Sequence, residues 1–252
     1  MNPLSALASG FLDLVLPRHC AVSGRPLLDD ETGPVAPEVL REVEVAGADY
    51  CTRCGAPQGR GVGAIKECAS CKAYRDGFGT REIVAAGDYS GVLKEICLAL
   101  KFGGEQRLAP VLAAWLAQLV FDRGLADKVD AVIPMPLHVF RRFRRGYNQA
   151  ALIAAPLAKT LERPLLTGVL KRTGKTERQA RLSAAQRKGN VADAFEVQAG
   201  RTSDIEGRRV LLVDDVMTTG ATLGAAARTL KKGGAKGVYG ALAARAVLGA
   251  DS

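Results

Sequence analysis

The sequence predicts an α/β protein built on a doubly wound parallel β-sheet, with a small cysteine-rich module ahead of it. Short aliphatic runs recur after about residue 80 and alternate with segments of helical periodicity. This alternation is typical of strands that are buried under helices on both faces of a parallel sheet. Two Cys-x2-Cys pairs precede this region. We therefore predict two domains, residues 1–80 and residues 81–252.

The composition is that of a globular protein with a surplus of basic residues. Of its 252 residues 48% are hydrophobic, and 35 lysines and arginines against 26 acids give a net charge of +9. This surplus suits phosphate-rich partners, either small molecules or nucleic acid. No apolar run reaches the roughly 20 residues that span a bilayer, and the start MNPLSALASG lacks the basic residues of a signal peptide. We expect a cytoplasmic protein without a membrane span.

The first segment predicts an amphipathic helix over residues 3–16. Apolar residues recur at helical spacing from Leu4 to Val15, and Pro17 follows. The segment contains no lysine or arginine, so docking on a neighbouring domain is favoured over binding to a membrane surface.

The next region carries a predicted zinc site. Cys51 and Cys54 form one Cys-x2-Cys pair, and Cys68 and Cys71 form a second. In a reducing compartment such pairs indicate metal ligands rather than disulfides, and four thiolates suit a closed tetrahedral zinc site. Because a shell of four cysteines leaves no open position, we expect a structural role. The alternative is a set of four thiols without metal.

The two remaining cysteines are interpreted differently. Cys20 has Ser23 at the position of its Cys-x2-Cys partner, so a free thiol is favoured over a metal ligand. His19 beside it is a minor ligand candidate. Cys97 lies on the apolar face of a predicted helix with Ile96 and Leu100, which favours a buried structural cysteine.

The α/β region is assigned by its periodicity. A helix is predicted to follow Gly91 and to be broken by the residues KFGG at 101–104. The single tryptophan, Trp115, is expected in the core and not on a base-stacking platform. The other predicted helices cover 108–121, 148–161 and 223–232, and the predicted strands cover 83–86, 129–134, 165–170, 195–197, 210–213 and 237–243. Since ligands gather at the carboxyl ends of parallel strands, the loops 134–149 and 214–222 are expected on one rim, together with the end of the last strand near Arg245.

The stretch RVLLVDDVMTTGATL, residues 209–223, carries the strongest functional signal. A buried strand leads into two carboxylates, and a loop of small residues then leads into a helix. Unpaired N–H groups at a helix start favour an anion, whereas the carboxylates would repel one unless they hold sugar hydroxyls or a magnesium ion. A phosphorylated ribose with Mg²⁺ satisfies all of these groups. The alternative is a tight turn with an acidic edge and a threonine N-cap. The candidate site residues are Asp214, Asp215, Thr218, Thr219, Gly220, Ala221 and Thr222.

Two basic loops add candidate anion contacts. The loop PMPLHVFRRFRRGYNQA, residues 134–150, places arginines beside a helix start, where they suit bidentate capture of phosphate. Arg141 and Arg145 are the candidates there, with a solvated basic face as the alternative. The long polar loop 171–190 is a candidate mobile cover, and Arg172 is a third candidate contact. This loop does not match a Walker A motif, because five residues rather than four separate Gly168 from Gly174.

Taken in order, these motifs resemble the ComF family of proteins with a double zinc ribbon and a type I phosphoribosyltransferase-like domain. The resemblance rests on LKFGG, PMPLH, RRFRRGYNQA, the polar loop and LLVDDVMTTGATL, and the sequence departs from it at Ser23. It implies that Asp214 and Asp215 bind the ribose hydroxyls of phosphoribosyl pyrophosphate (PRPP) and that residues 218–222 wrap its 5′-phosphate. It also implies that residues 141–149 form the pyrophosphate loop and that residues 171–190 form a flexible hood.

Two functions remain open. The first is a protein with a PRPP or ribose 5-phosphate site that acts in the uptake or processing of transforming single-stranded DNA, as the resemblance implies. As a phosphoribosyltransferase it would let a base or amine displace pyrophosphate from C1 of PRPP with the help of Mg²⁺. No residue stands out as a general base, and Asp215 is a weak candidate. The second is a non-catalytic accessory protein that binds single-stranded DNA or a helicase partner during competence and DNA uptake. The aromatic content of 5% argues against an extensive base-stacking groove.

Overall fold

The computed structural model describes residues 18–72, 74, 77–137, 145–173 and 194–246. The predicted N-terminal helix, Arg141 and most of the predicted hood lie outside these residues. None of the helices within the described ranges is long and apolar enough to cross a membrane.

The structure contains short elements in the cysteine module and longer ones after residue 80. The helices are α1 (Pro37–Arg41), α2 (Ala69–Lys72), α3 (Gly91–Phe102), α4 (Ala109–Asp122), α5 (Gln149–Thr160) and α6 (Ala221–Lys232), with 3₁₀ turns at Gln106–Leu108, Ala126–Lys128 and Thr202–Asp204. The strands are β1 (Tyr50–Cys51), β2 (Ala64–Ile65), β3 (Ile83–Ala85), β4 (Ala131–Pro134), β5 (Leu170–Arg172), β6 (Phe195–Val197), β7 (Arg209–Met217) and β8 (Gly237–Arg245).

The central sheet has four parallel strands in the order β3-β8-β7-β4. Alternate residues of β7 face opposite sides, as the pleat requires. Leu211 and Val213 pack in one apolar cluster with residues of α3, α4 and α5. Val210 and Leu212 pack in a second cluster with residues of α6. The predicted α/β class, with a parallel sheet covered on both faces, is therefore confirmed.

The core helices follow the sequence pattern. Cys97 is 2% exposed among the apolar residues of α3, and Trp115 is partly buried against the same cluster. Asn148 caps α5, since its side-chain oxygen accepts a hydrogen bond from the Ala150 N–H at 3.1 Å. This cap explains why the helix begins directly after the basic loop.

Two strand predictions are wrong in detail. Residues 165–170 do not form one strand, because Leu165 only bridges to Val132 and Gly168 then turns the chain with a φ of +75° before Leu170 begins β5. The strand β5 instead pairs with β6, antiparallel and outside the central sheet. The strand predicted over 210–213 continues to Met217, because β8 pairs with it as far as Arg245.

Candidate functional site

A groove of about 150 Å³ opens where the parallel strands of the central sheet end. Segments far apart in the sequence meet there, because the carboxyl ends of parallel strands share one edge of the sheet. Its lining comprises Lys101, residues 135–137, Asn148, Gln149, Arg172 and all residues from Asp214 to Leu223. The seven residues predicted to hold the phosphorylated sugar therefore lie together in one groove.

The two carboxylates of the groove have different surroundings. Asp215 is 7% exposed, and its Oδ2 accepts a hydrogen bond from Gln149 Nε2 at 3.0 Å. Lys101 Nζ lies 3.6 Å from the same oxygen. Asp214 Oδ1 accepts from the Asp215 backbone N–H at 3.0 Å. Removal from water, and then the negative charge on Asp215, raise the pKa of Asp214 well above its ordinary value.

The turn after the acidic pair presents the start of α6 to the groove. Gly220 occupies the N-cap with a φ of +75°, so a threonine does not cap this helix. Thr219 Oγ1 accepts from the Ala221 N–H at 3.4 Å, and the side chains of Thr218 and Thr219 are exposed. The first N–H groups of a helix of this length, with two hydroxyls beside them, form a suitable cradle for an anion.

Two buried side chains support this turn from behind. Arg245 is 1% exposed, and its Nη1 donates to the carbonyl oxygen of Met217 at 3.0 Å and also to that of Thr218. Phe78 packs against Gly220 so closely that a Cβ on this glycine would lie 2.3 Å from its ring. The ring of Tyr74 is 5.4 Å from that of Phe78, centroid to centroid. The conformation of the turn is therefore set before any ligand arrives.

The predicted arginine contacts have different outcomes. Arg172 lines the groove, with its guanidinium 5.6 Å from the centre of the Phe195 ring. The guanidinium of Arg145 lies 4.7 Å from the centre of the Phe102 ring, and Arg145 is not among the described residues that line the groove. Arg141 falls outside the described ranges.

Lys101 and Gln149 line the groove but are not among the candidate contacts predicted from the sequence, although Gln149 ends the loop 141–149 that the resemblance implies for pyrophosphate. Lys101 belongs to the segment LKFGG at the end of α3, and Gln149 is the first residue of α5. A lysine in a last helical turn and a glutamine in a first one are common, so neither position is distinctive by itself. What marks them in the sequence is their place in the motifs LKFGG and RRFRRGYNQA.

The four cysteines of the two pairs form a buried cluster. The Sγ atoms of Cys51 and Cys71 are 3.6 Å apart, as are those of Cys54 and Cys68, and those of Cys68 and Cys71 are 3.8 Å apart. All four Sγ atoms lie within 4.8 Å of one another. A tetrahedral zinc site with Zn–S distances of about 2.3 Å has sulfur–sulfur edges of about 3.8 Å. The cluster therefore has the size of a zinc site.

Cys20 lies in a turn with the same backbone hydrogen bonds as the Cys51 turn. In both turns the cysteine N–H donates to the carbonyl five residues on, at 2.8 Å for Cys20 and 2.9 Å for Cys51. The glycine four residues on donates back to the cysteine carbonyl in each. Cys20 Sγ accepts from the N–H groups of Ser23 and Ala36, and the thiol is 2% exposed. Among the described residues, neither Cys20 nor the exposed His19 belongs to the group of side chains that could hold a metal ion.

This chain matches a known family model and is similar in sequence to several known proteins. Residues 106–246 match the model of the phosphoribosyl transferase domain. Competence protein F of Haemophilus influenzae is 32% identical over 192 residues, which cover 75% of this chain and 81% of that protein. The DNA utilization protein YhgH of Escherichia coli is 30% identical over 75% of this chain and 80% of its own length. Competence protein ComFC of Bacillus subtilis is 31% identical over 73% of this chain and 72% of its own length.

Proposed function

This chain belongs to the ComF family of competence proteins with a phosphoribosyltransferase domain, and from that membership we propose that it binds PRPP or a related phosphoribosyl compound in the groove at the end of β7. The proposal rests on one observation above all. The acidic pair and the turn over residues 218–222 line the same groove, so one bound molecule can reach both a hydroxyl-binding and a phosphate-binding surface.

Each part of the ligand has a chemically suitable partner. The carboxylates of Asp214 and Asp215 would accept hydrogen bonds from the ribose hydroxyls. The N–H groups at the start of α6 and the hydroxyls of Thr218 and Thr219 would bind the 5′-phosphate. Arg172, which also lines the groove, would bind the pyrophosphate.

If the protein is a transferase, the reaction would be displacement of pyrophosphate from C1 by a base or amine. Mg²⁺ bound with the pyrophosphate would supply stabilisation of the negative charge on the leaving group. The residues of this chain would hold the ribose in place while positive charge develops on its ring. Asp214 and Asp215 are suited to that role because both line the groove, where their carboxylates would lie beside the ribose hydroxyls.

We further propose that the cysteine cluster holds a structural zinc ion. The sulfur spacing and the burial of all four side chains support this assignment. A closed shell of four thiolates would stabilise the fold of the module and take no part in the chemistry.

In the cell we propose a role in the uptake or use of transforming single-stranded DNA. The names of the relatives, competence protein and DNA utilization protein, support this role. The second candidate is a non-catalytic accessory protein that binds single-stranded DNA or a competence helicase and whose PRPP site is vestigial. The net charge of +9 is compatible with a nucleic-acid partner, as it is with a phosphorylated small molecule.

The two candidates are separated by measuring PRPP and DNA binding on the same variants. The double variant Asp214→Asn and Asp215→Asn is expected to lose PRPP binding in calorimetry and to retain its DNA gel shift. Asp29→Asn with Asp30→Asn is the matched control, because it neutralises another adjacent pair that is exposed. DNA binding should fall with rising salt and on removal of the arginine charges at 141–145. PRPP binding that survives in the first double variant would contradict the proposed site.

A further inference from the structure

Lys101 brings a positive charge of the protein to the acidic pair. It lies in the last turn of α3, and its Nζ is 3.6 Å from Asp215 Oδ2. Its side chain is 26% exposed and lines the groove. Among the residues that the structure describes, it is the one cationic side chain in an ion pair with either carboxylate.

The backbone of this lysine is held by the core. Ile96, Cys97 and Leu100 bury the inner face of α3. Tyr147 Oη, beside the start of α5, donates to the Leu100 carbonyl oxygen at 2.5 Å and so fixes the last turn. The backbone of Lys101 is therefore anchored by this packing and by this hydrogen bond.

The ammonium group and a divalent cation would compete for the same oxygen. Asp215 Oδ2 already receives Gln149 Nε2 at 3.0 Å and lies 3.6 Å from Lys101 Nζ. The ammonium group disfavours a divalent ion on this oxygen, because two cations beside one carboxylate oxygen repel each other. Without the ion, Lys101 reduces the repulsion between the acidic pair and a phosphorylated sugar.

We propose that Lys101 acts as a built-in cation of the site, so that the ribose 5-phosphate part of the ligand binds without a divalent metal. Mg²⁺ would then accompany only the pyrophosphate of PRPP. The ligands that need no metal would be phosphorylated pentoses, namely ribose 5-phosphate and nucleoside 5′-monophosphates. This inference rests on the proposed function, since it concerns the same groove.

The test is calorimetry of ribose 5-phosphate with the full chain, once in EDTA and once in Mg²⁺. The unaltered protein should bind with affinities that agree within about threefold in the two buffers. Lys101→Met should weaken binding in EDTA by at least about tenfold, as expected for loss of a charged contact, and Mg²⁺ should restore part of it. Lys101→Arg should retain most of the affinity in EDTA. Lys94→Met, an exposed lysine on the same helix, is the control.

The outcomes separate this inference from the proposed function. If the unaltered protein binds ribose 5-phosphate in Mg²⁺ but not in EDTA, the site is real and the role of Lys101 is refuted. Equal affinities of the protein and Lys101→Met in EDTA would also refute that role. If the unaltered protein binds neither ribose 5-phosphate nor PRPP in either buffer, the proposed function itself fails. Thermal melting of each variant confirms that lost binding does not reflect unfolding.

Discussion

Gln149 Nε2 donates a hydrogen bond to Asp215 Oδ2 over 3.0 Å and thereby joins the start of α5 to the end of β7. Both side chains are buried, although 66 residues separate them in the chain. A buried carboxylate that accepts this hydrogen bond keeps its orientation toward the groove, because other rotamers would leave it without the donor.

Replacing Gln149 by leucine should therefore destabilise the protein. The substitution keeps most of the volume but removes the donor to a buried carboxylate, which is expected to lower the free energy of unfolding by about 1–3 kcal/mol. Urea denaturation followed by circular dichroism measures this change. Gln118→Leu is the matched control, because Gln118 also donates to an aspartate, Asp122, but on the exposed face of α4. Gln118→Leu should change the free energy of unfolding by no more than about 0.5 kcal/mol. Equal effects of the two substitutions would show that the buried hydrogen bond to Asp215 does not contribute more than an exposed one.

The cysteine cluster predicts a zinc stoichiometry. Inductively coupled plasma mass spectrometry of the purified protein should find one zinc ion per chain. Cys54→Ser or Cys71→Ser should abolish zinc binding. Cys20→Ser and Cys97→Ser should keep the zinc, because neither residue is part of the cluster. Removal of the metal with a chelator should lower the melting temperature, since the free energy of zinc binding contributes to folding. Zinc that persists in Cys54→Ser would disprove the ligand set.

Gly220 should not tolerate a side chain. Alanine there would have to adopt a φ of +75° and would place its Cβ 2.3 Å from the Phe78 ring. The left-handed conformation costs about 1–2 kcal/mol, and displacement of a packed ring adds about 1–3 kcal/mol. Gly200→Ala is the control, because its φ of +77° is similar and nothing lies within 4 Å of the added Cβ. Gly220→Ala should be clearly less stable than Gly200→Ala in urea and should bind PRPP more weakly.

The ion pair between Asp130 and Arg209 predicts a pH dependence. Hydrogen bonds from the Arg209 side chain, and from its backbone N–H, hold the pKa of Asp130 below its ordinary value. A carboxylate with a lowered pKa stabilises the fold above the pKa of the unfolded chain, about 3.9, and loses this contribution as the pH falls through the folded value. Because the pair is about one-third exposed, Asp130→Asn should cost no more than about 1 kcal/mol at pH 7.

That difference should vanish in acid. Both proteins carry a neutral side chain at position 130 once the pH lies below the folded pKa, so their unfolding curves in urea should converge. A constant difference between pH 7 and strongly acidic buffer would show that the cost of the substitution is not electrostatic.

The sequence predicted the class of fold because its strongest signals are local. Four aliphatic residues identify β7, and the helical spacing before the KFGG segment identifies α3. The end of β7 could not be predicted in this way, because Asp214 and Asp215 are unusual strand residues and the strand continues only where β8 pairs with it. The apolar pattern at 165–170 wrongly predicted a strand, because Gly168 turns the chain there.

The candidate site was predicted only where it is contiguous in sequence. The acidic pair and the turn after it are adjacent, and their residue types alone indicate the chemistry. Lys101 and Gln149 reach Asp215 from α3 and α5, so their contribution depends on how these helices pack on the sheet. That packing is set by apolar contacts throughout the core, and it cannot be inferred from a local sequence pattern.

The packing of Phe78 between Gly220 and Tyr74 has a further consequence. Phe78, which packs against the turn over residues 218–222, belongs to the same buried cluster as the four cysteines, and Tyr74 packs against that cluster. If the cluster holds the proposed zinc ion, loss of the metal or oxidation of the thiols should weaken the support of this turn and, with it, the proposed binding of a phosphorylated sugar.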